Sequence, residues 1–175
     1  MSNTLWSTQL MARLFEAGIR HIGIAPGSRS TPLVLAAARH GHFQTHVHWD
    51  ERALGFWGLG IGKSSGTPAA IITTSGTAAA NLFPAVIEAA MDQVPLILLT
   101  ADRPPDLMNC GANQAINQVH LFGNYPAFFA DLPAPPDAPL SALDPILDAA
   151  LAIQNQPIHL NCRFREPFFE DKGDD

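Results

Sequence analysis

The sequence is short of several features that would have fixed its class at once. Only two of its 175 residues are cysteines, Cys110 and Cys162, far apart and without a C-x-x-C pair. That points to two reduced thiols in a cytosolic protein rather than to a disulfide scaffold. No apolar run approaches the roughly 18–20 residues of a membrane-spanning helix. The opening stretch MSNTLWSTQLMARLF lacks the basic-then-apolar order of a secretory signal. Basic residues are few, 10 Lys and Arg against 16 Asp and Glu, for a net charge of -6. A surface that tracks nucleic-acid phosphates needs the opposite balance, although a local basic pocket for a small anion is still allowed. There is no internal repeat and no low-complexity tract. The expectation is a soluble, cytoplasmic chain.

What is present is core. Hydrophobic residues make up 47% of the chain and charged residues 15%, a globular composition with enough length for one domain. Leu5, Trp6, Leu10, Met11, Leu14 and Phe15 recur at helical spacing, so a helix is expected over about 4–17, stopped by Gly18. Residues 21–25 read as a short buried strand, and Thr31-Pro32 opens a helix to about 39. An alternating strand is expected over 43–49, then a helix over about 51–63 capped by Asp50. A strand at 69–74 leads through Ser75-Gly76-Thr77 into a helix over about 77–91. Further strands fall at 95–100, 127–131 and 158–162, with a helix over 140–153. Residues 101–124 form a polar connection too long to be idle, and PAPPDAP (133–139) is a stiff connector.

Strands alternating with helices predict an α/β fold: a three-layer α/β/α domain around a mainly parallel central sheet. Residues 1–165 are read as the domain and 166–175 as a tail or the start of a linker. In such sheets, ligands sit beyond the carboxyl ends of the strands. The segments that follow the first four strands are PGSRST, DE, SGT and ADRPP. All four polar sets converge on one edge of the sheet.

Several motifs were weighed on their chemistry. GLGIGKSSG (58–66) fails as a nucleotide loop, because Trp57 stands where a Walker A glycine belongs and the segment ends a helix. Its glycines are read as close-packing or helix-ending positions. His46 and His48, like His40 and His42, lack a third zinc ligand. Ser28 and Ser75 have neither a GxSxG elbow nor an evident histidine partner. Glu51, first in its helix, suits the macrodipole with no further purpose. Arg29 and Arg103 sit in loops at the ligand edge, where each is either half of a surface salt bridge or a fork for carboxylate or phosphate. Asn113 and Gln114 are either loop-capping amides or substrate donors.

IAPGSRSTPL, HWDERALGFWGLGIGK, TTSGTAAANLFPAVIEA, PLILLTADRPP and CGANQAINQ together resemble the N-terminal, pyrimidine-binding domain of thiamine-diphosphate enzymes. Within that family they are most similar to the synthases of menaquinone biosynthesis. The resemblance runs from Leu10 to HLNCRFREP, with one departure at Arg163, where the pattern has proline, outside the motif loops. It implies that Glu51 hydrogen-bonds N1′ of the cofactor's aminopyrimidine, favours its 4′-imino form and is buried against it, with Thr77 a further cofactor contact. It implies that Ser28, Arg29, Arg103, Asn113 and Gln114 receive the substrates, 2-oxoglutarate and isochorismate, both dicarboxylates. It also implies that Mg²⁺ and the cofactor's diphosphate belong to a separate C-terminal domain whose GDG…N motif this sequence lacks. The domain alone is then inactive and works within a homo-oligomer, with a partner-facing apolar surface including the Trp57–Gly62 face. Two other readings stay open at this point. One is a separate small subunit of a two-chain thiamine-diphosphate decarboxylase. The other is a non-catalytic α/β module for a small anion or a protein.

Overall fold

The computed structural model describes residues 2–169, so 170–175 of the expected tail (166–175) lie outside the described residues. Six strands form one sheet: β1 (His21–Ile24), β2 (Gln44–Val47), β3 (Ala69–Thr73), β4 (Leu96–Asp102), β5 (Phe128–Leu132) and β6 (Pro157–Arg163). Their order is β2-β1-β3-β4-β6-β5 and every pairing is parallel. The helices are α1 (Asn3–Glu16), α2 (Thr31–His40), α3 (Glu51–Ser65), α4 (Thr77–Ala80), α5 (Phe83–Met91) and α6 (Leu143–Leu151).

Alternation along the strands assigns the two faces. Ala70, Ile72, Ile97, Leu99, Ile158 and Leu160 point to the side covered by α1, α2 and α6. Trp6, Leu10, Met11 and Leu14 of α1 are buried there, as their spacing predicts. Ala69, Ile71, Leu96 and Leu98 point the other way, against Leu54 and Leu59 of α3 and Val86 and Ala89 of α5. The expected three layers are present.

The differences from expectation have local causes. The single helix expected over 77–91 is two, because Pro84 has no N–H to donate and its ring crowds the carbonyl of Ala80, where α4 ends. Leu140–Ala142 is a 3₁₀ turn, and α6 starts only at Leu143. The second strand is four residues long and exposed at all four, since β2 lies at the sheet edge rather than between covered faces. Strands β4 and β6 are longer than expected and pair in register from Leu96↔Pro157 to Asp102↔Arg163. Their last residues, Asp102 and Arg163, are charged yet buried, which the hydrophobic pattern does not signal.

The close-packing reading of 58–66 is borne out by α3. Gly58 lies on Ile71 and Leu96, and Gly62 on the backbone of Pro95. A Cβ on Gly62 would fall 2.4 Å from the Pro95 carbonyl oxygen, whereas one on Gly60 meets nothing within 4 Å. Gly62→Ala is therefore expected to lower unfolding stability by about 1–3 kcal/mol through overpacking. Gly60→Ala, on the exposed side of the same helix, is expected to raise it by up to about 1 kcal/mol. Urea unfolding of the two variants checks the opposite signs.

His159 of β6 is completely buried, and desolvation holds its pKa down to about 3 from 6.5. Its Nε2 lies 2.7 Å from the Thr100 hydroxyl, while Nδ1 has no partner among the described residues. Thr100 donates to Asn161 Oδ1 at 3.0 Å, which makes Nε2–H the donor to Thr100 and leaves Nδ1 bare. Between pH 6.5 and about 3 the unfolded chain takes up a proton at this ring that the native chain refuses. Stability is therefore lost as pH falls through that window, by roughly 3 kcal/mol at pH 4 from this residue. His159→Gln keeps an N–H for Thr100 and cannot titrate. Urea unfolding from pH 7 to pH 4 should give a flatter dependence for that variant than for the parent.

Candidate functional site

The loops after β1, β3 and β4 meet at the carboxyl edge of the sheet and enclose a cleft of ≈ 390 Å³. The first loop turns at Ser28–Ser30, a single 3₁₀ turn that places Ser28 at the surface and buries Arg29. Ser30 Oγ donates to the Gly27 carbonyl at 2.9 Å and holds the turn. Arg29 donates to the Phe164 carbonyl at 2.7 Å and stacks 4.8 Å from the Phe168 ring. Its second guanidinium nitrogen lies 3.5 Å from the exposed carboxylate of Glu166, which also lines the cleft. Burial, and next the charge of Arg103, lower the Arg29 pKa from its ordinary value.

Arg103 is 8% exposed and enters the cleft from the end of β4. One of its nitrogens donates to Ser75 Oγ at 2.5 Å and to the Gln114 carbonyl at 2.7 Å. Among the described residues it has no carboxylate within ion-pair distance. A surface salt bridge is therefore the wrong description of Arg103, and only a partial one of Arg29. Two buried guanidinium groups in one cleft, one of them without a counter-charge, form a seat for an anion.

Gln114 is the third wall. Its backbone is left-handed (φ 56°), and its amide donates to the Ser75 carbonyl at 3.0 Å. The structure thus brings Ser28, Arg29, Arg103 and Gln114 together. Asn113, one residue earlier, is exposed and outside the cleft wall.

Glu51 and Thr77 form a second, neighbouring group. Asp50 caps α3 by accepting from Ala53 N at 2.8 Å, which sets Glu51 as the first helical residue. Glu51 Oε2 accepts from the Asn81 amide at 3.2 Å, just past the end of α4, whose first residue is Thr77. Glu51 is half-buried and Thr77 exposed. The chain itself does not bury Glu51, and neither residue lines the anion cleft. Glu51 therefore keeps an accessible carboxylate steadied at one oxygen, which suits a group that needs a carboxyl partner on a heterocyclic nitrogen.

Behind the cleft lies a buried polar network that the motifs did not reveal. Asn161 donates to Asp102 and Asp131, each at 2.9 Å, and accepts from Thr100 and Gln118. Arg163 makes a two-pronged bond to Asp131 at 2.8 and 2.9 Å and donates to the Arg103 carbonyl at 2.6 Å. Expected to stand apart from the motif loops, Arg163 instead touches the backbone of a cleft residue. Burial raises the Asp102 pKa, opposed by its bonds from Asn161 and the Arg103 N–H and by the charge of Arg163. A signal was available: His159, Asn161 and Arg163 occupy alternate positions of one strand and so share a face.

Other features carry less chemistry. A second hollow, ≈ 260 Å³, lies among Ile19, Pro95, Leu151 and Gln154 at the opposite end of the strands and has no ionisable lining. His46 stacks on Trp57 at 4.7 Å, and His48 Nδ1 accepts from the Asp50 N–H. Among the described residues, no cluster of three His, Cys, Asp or Glu is placed to hold a metal, and no helix is long and apolar enough to cross a membrane.

Residues 6–121 match the family model described as "Thiamine pyrophosphate enzyme, N-terminal TPP binding domain". A 2-succinyl-5-enolpyruvyl-6-hydroxy-3-cyclohexene-1-carboxylate synthase of Shewanella sediminis (strain HAW-EB3) is 54% identical over 95% of this chain and 29% of its own length. The synthase of the same name from Shewanella halifaxensis (strain HAW-EB4) is 52% identical over 97% of this chain and 30% of its own length. That from Shewanella frigidimarina (strain NCIMB 400) is 52% identical over 95% and 29%. The chain therefore spans under a third of the length of these curated relatives. An all-parallel sheet with helices on both sides, loops gathered at its carboxyl edge and a family match over most of the chain agree: the chain belongs to the thiamine pyrophosphate enzymes, as an N-terminal TPP-binding domain of that family.

Proposed function

We propose that this chain is the pyrimidine-binding domain of a 2-succinyl-5-enolpyruvyl-6-hydroxy-3-cyclohexene-1-carboxylate synthase acting in menaquinone biosynthesis. Such an enzyme decarboxylates 2-oxoglutarate and joins the remaining four-carbon unit to isochorismate. One observation carries the reading beyond the family: Arg29 and Arg103 are buried in one cleft, and Arg103 has no carboxylate partner among the described residues. Two fixed guanidinium groups suit a dicarboxylate, since each offers a planar fork to a carboxylate. Ser28 at the rim and the Gln114 amide supply neutral donors to the same ligand, with Asn113, next to Gln114 in the same loop, a further amide for it.

Thiamine diphosphate, when bound, supplies the nucleophilic carbon and the electron sink for decarboxylation of a 2-oxo acid. Glu51 holds its pyrimidine ring. An accessible carboxylate at the start of α3, held on one oxygen by Asn81, fits a hydrogen bond to a ring nitrogen, and sharing a proton there tunes the ring's basicity. Thr77 borders the same surface. The cleft arginines orient the substrate beside that ring and neutralise its carboxylates.

On this reading Mg²⁺ and the diphosphate are held by sequence outside these 175 residues, and the domain is inactive without it. Residues 1–165 act as the domain; 166–168, expected as tail or linker, pack back on it through Glu166, Pro167 and Phe168. The working enzyme is a cytoplasmic homo-oligomer. Its contact surface includes Val47 of the edge strand β2, Trp49 just after it and Phe56 of α3, which are 60%, 86% and 43% exposed. The Trp57–Gly62 face is not that surface, because Gly58, Leu59 and Gly62 are buried against the sheet.

The test uses the full-length protein with thiamine diphosphate, Mg²⁺, 2-oxoglutarate and isochorismate. Turnover is expected in the parent, and Glu51→Gln should lower kcat by about 10²–10⁴-fold, the range for loss of a positioned proton-sharing group. Absence of turnover in the parent overturns the assigned reaction. Equal turnover in parent and variant leaves Glu51 as a helix-terminus acid. Arg103→Lys should raise the KM for 2-oxoglutarate, because a point charge cannot replace the fork.

A further inference from the structure

GANQAINQ contains two Asn-Gln pairs. Gln114 of the first lies at the cleft rim, and Gln118 of the second is completely buried. Both ends of the Gln118 amide are in use. Oε1 accepts from the Gly76 N–H at 2.8 Å, and Nε2 donates to Asn161 Oδ1 at 2.8 Å and to the Ala101 carbonyl at 3.3 Å. One side chain thus joins the turn after β3, the end of β4 and the middle of β6.

The Gly76 peptide is the sensitive end of this link. Gly76 has φ +78° and ψ -137°, a conformation that L residues rarely adopt. A Cβ there would lie 2.9 Å from Gln114, so the two loops are already in contact. On either side of it stand Ser75, whose hydroxyl accepts from Arg103, and Thr77, which opens α4. A buried N–H without an acceptor costs as much as a lost hydrogen bond and relaxes only if the peptide turns toward another partner. Turning that peptide moves Ser75.

We propose that Gln118 is a positioning residue for the anion cleft: by holding the Gly76 peptide it fixes the Ser75 hydroxyl on which Arg103 rests. Gln118 touches neither cofactor nor substrate and acts through Arg103. Glutamine fits the place because one end must accept and the other donate. A carboxylate would set a second acceptor against the Asn161 and Ala101 oxygens, and an apolar side chain would leave the Gly76 N–H without its acceptor. The role rests on the reading of the cleft as a dicarboxylate site.

A double-mutant cycle in the full-length enzyme, with thiamine diphosphate and Mg²⁺, tests it. Gln118→Met nearly conserves volume and should raise the KM for 2-oxoglutarate by about tenfold, the scale of one buried hydrogen bond, with a smaller fall in kcat. In a Ser75→Ala background the hydroxyl at the end of the relay is gone, so Gln118→Met should change KM by about twofold or less. A purely structural role would multiply KM by the same factor in both backgrounds, and that result overturns the proposal. An unchanged KM in the single variant also overturns it. If Gln118→Met is not recovered folded, Gln118→Leu, which likewise removes the acceptor for the Gly76 N–H, takes its place in the same cycle, and the same outcomes decide. Arg103→Lys is run alongside. If it leaves KM unchanged, the dicarboxylate reading fails and the positioning role falls with it. If it raises KM while the cycle is additive, only the positioning role fails.

Discussion

The Asn161 side chain is the interaction on which the carboxyl half of the sheet depends. All four of its hydrogen-bonding valences are filled by protein: Thr100 and Gln118 on the oxygen, Asp102 and Asp131 on the nitrogen. It sits where the helices leave the sheet uncovered. Strands β4 and β6 run past their expected ends there, to Asp102 and Arg163, and Gln118 and Phe122 of the 103–124 connection pack on them. An apolar face would need an apolar cover. This polar face takes its cover from a loop, and the satisfied network keeps that loop in one arrangement.

The arrangement explains how a surface loop can carry buried arginines. A guanidinium costs several kcal/mol to desolvate unless its donors are met. Arg103 meets part of that cost with Ser75 Oγ and the Gln114 carbonyl, and its own carbonyl is gripped by Arg163. Arg29 uses the Phe164 carbonyl and the face of Phe168. In each case the neutral contacts fix the stem of the group and leave charge directed into the cleft. The neighbouring pair, Glu51 and Thr77, is built differently, on the first residues of two helices. The chain thus encloses its two cleft arginines by itself but leaves the Glu51 carboxylate accessible.

How much of this was legible in the sequence differs by region. The alternation of strands and helices, the Asp50 cap and the convergence of polar loops at one edge follow from periodicity and from rules that hold for any parallel sheet. Ser28, Arg29, Arg103 and Gln114 could be nominated because charged and amide side chains stood directly after apolar strands. Glu51 could not be separated from an ordinary helix-start acid on physical grounds, and only the family resemblance raised it. The split of α4 from α5 was readable from Pro84 and was missed because the apolar pattern continues across it. The edge position of β2 was not readable, since strand order is not a local property. The network of Thr100, Asp102, Gln118, Asn161 and Arg163 was hidden because polar residues in a strand ordinarily signal solvent. Here they signal each other.

Placing Arg29 and Arg103 in one cleft has a consequence for the molecule as a whole. Arg103 makes it harder for buried Arg29 to hold its charge, and the compensating group Glu166 is largely in water. The ligand-free fold therefore carries an internal repulsion that a bound dianion removes. By linkage, whatever relieves that repulsion in the native state alone also favours the native state. The domain's thermal stability then becomes a readout of the charge in its cleft, sensitive to the valence of the occupant and to ionic strength before any bond is made or broken.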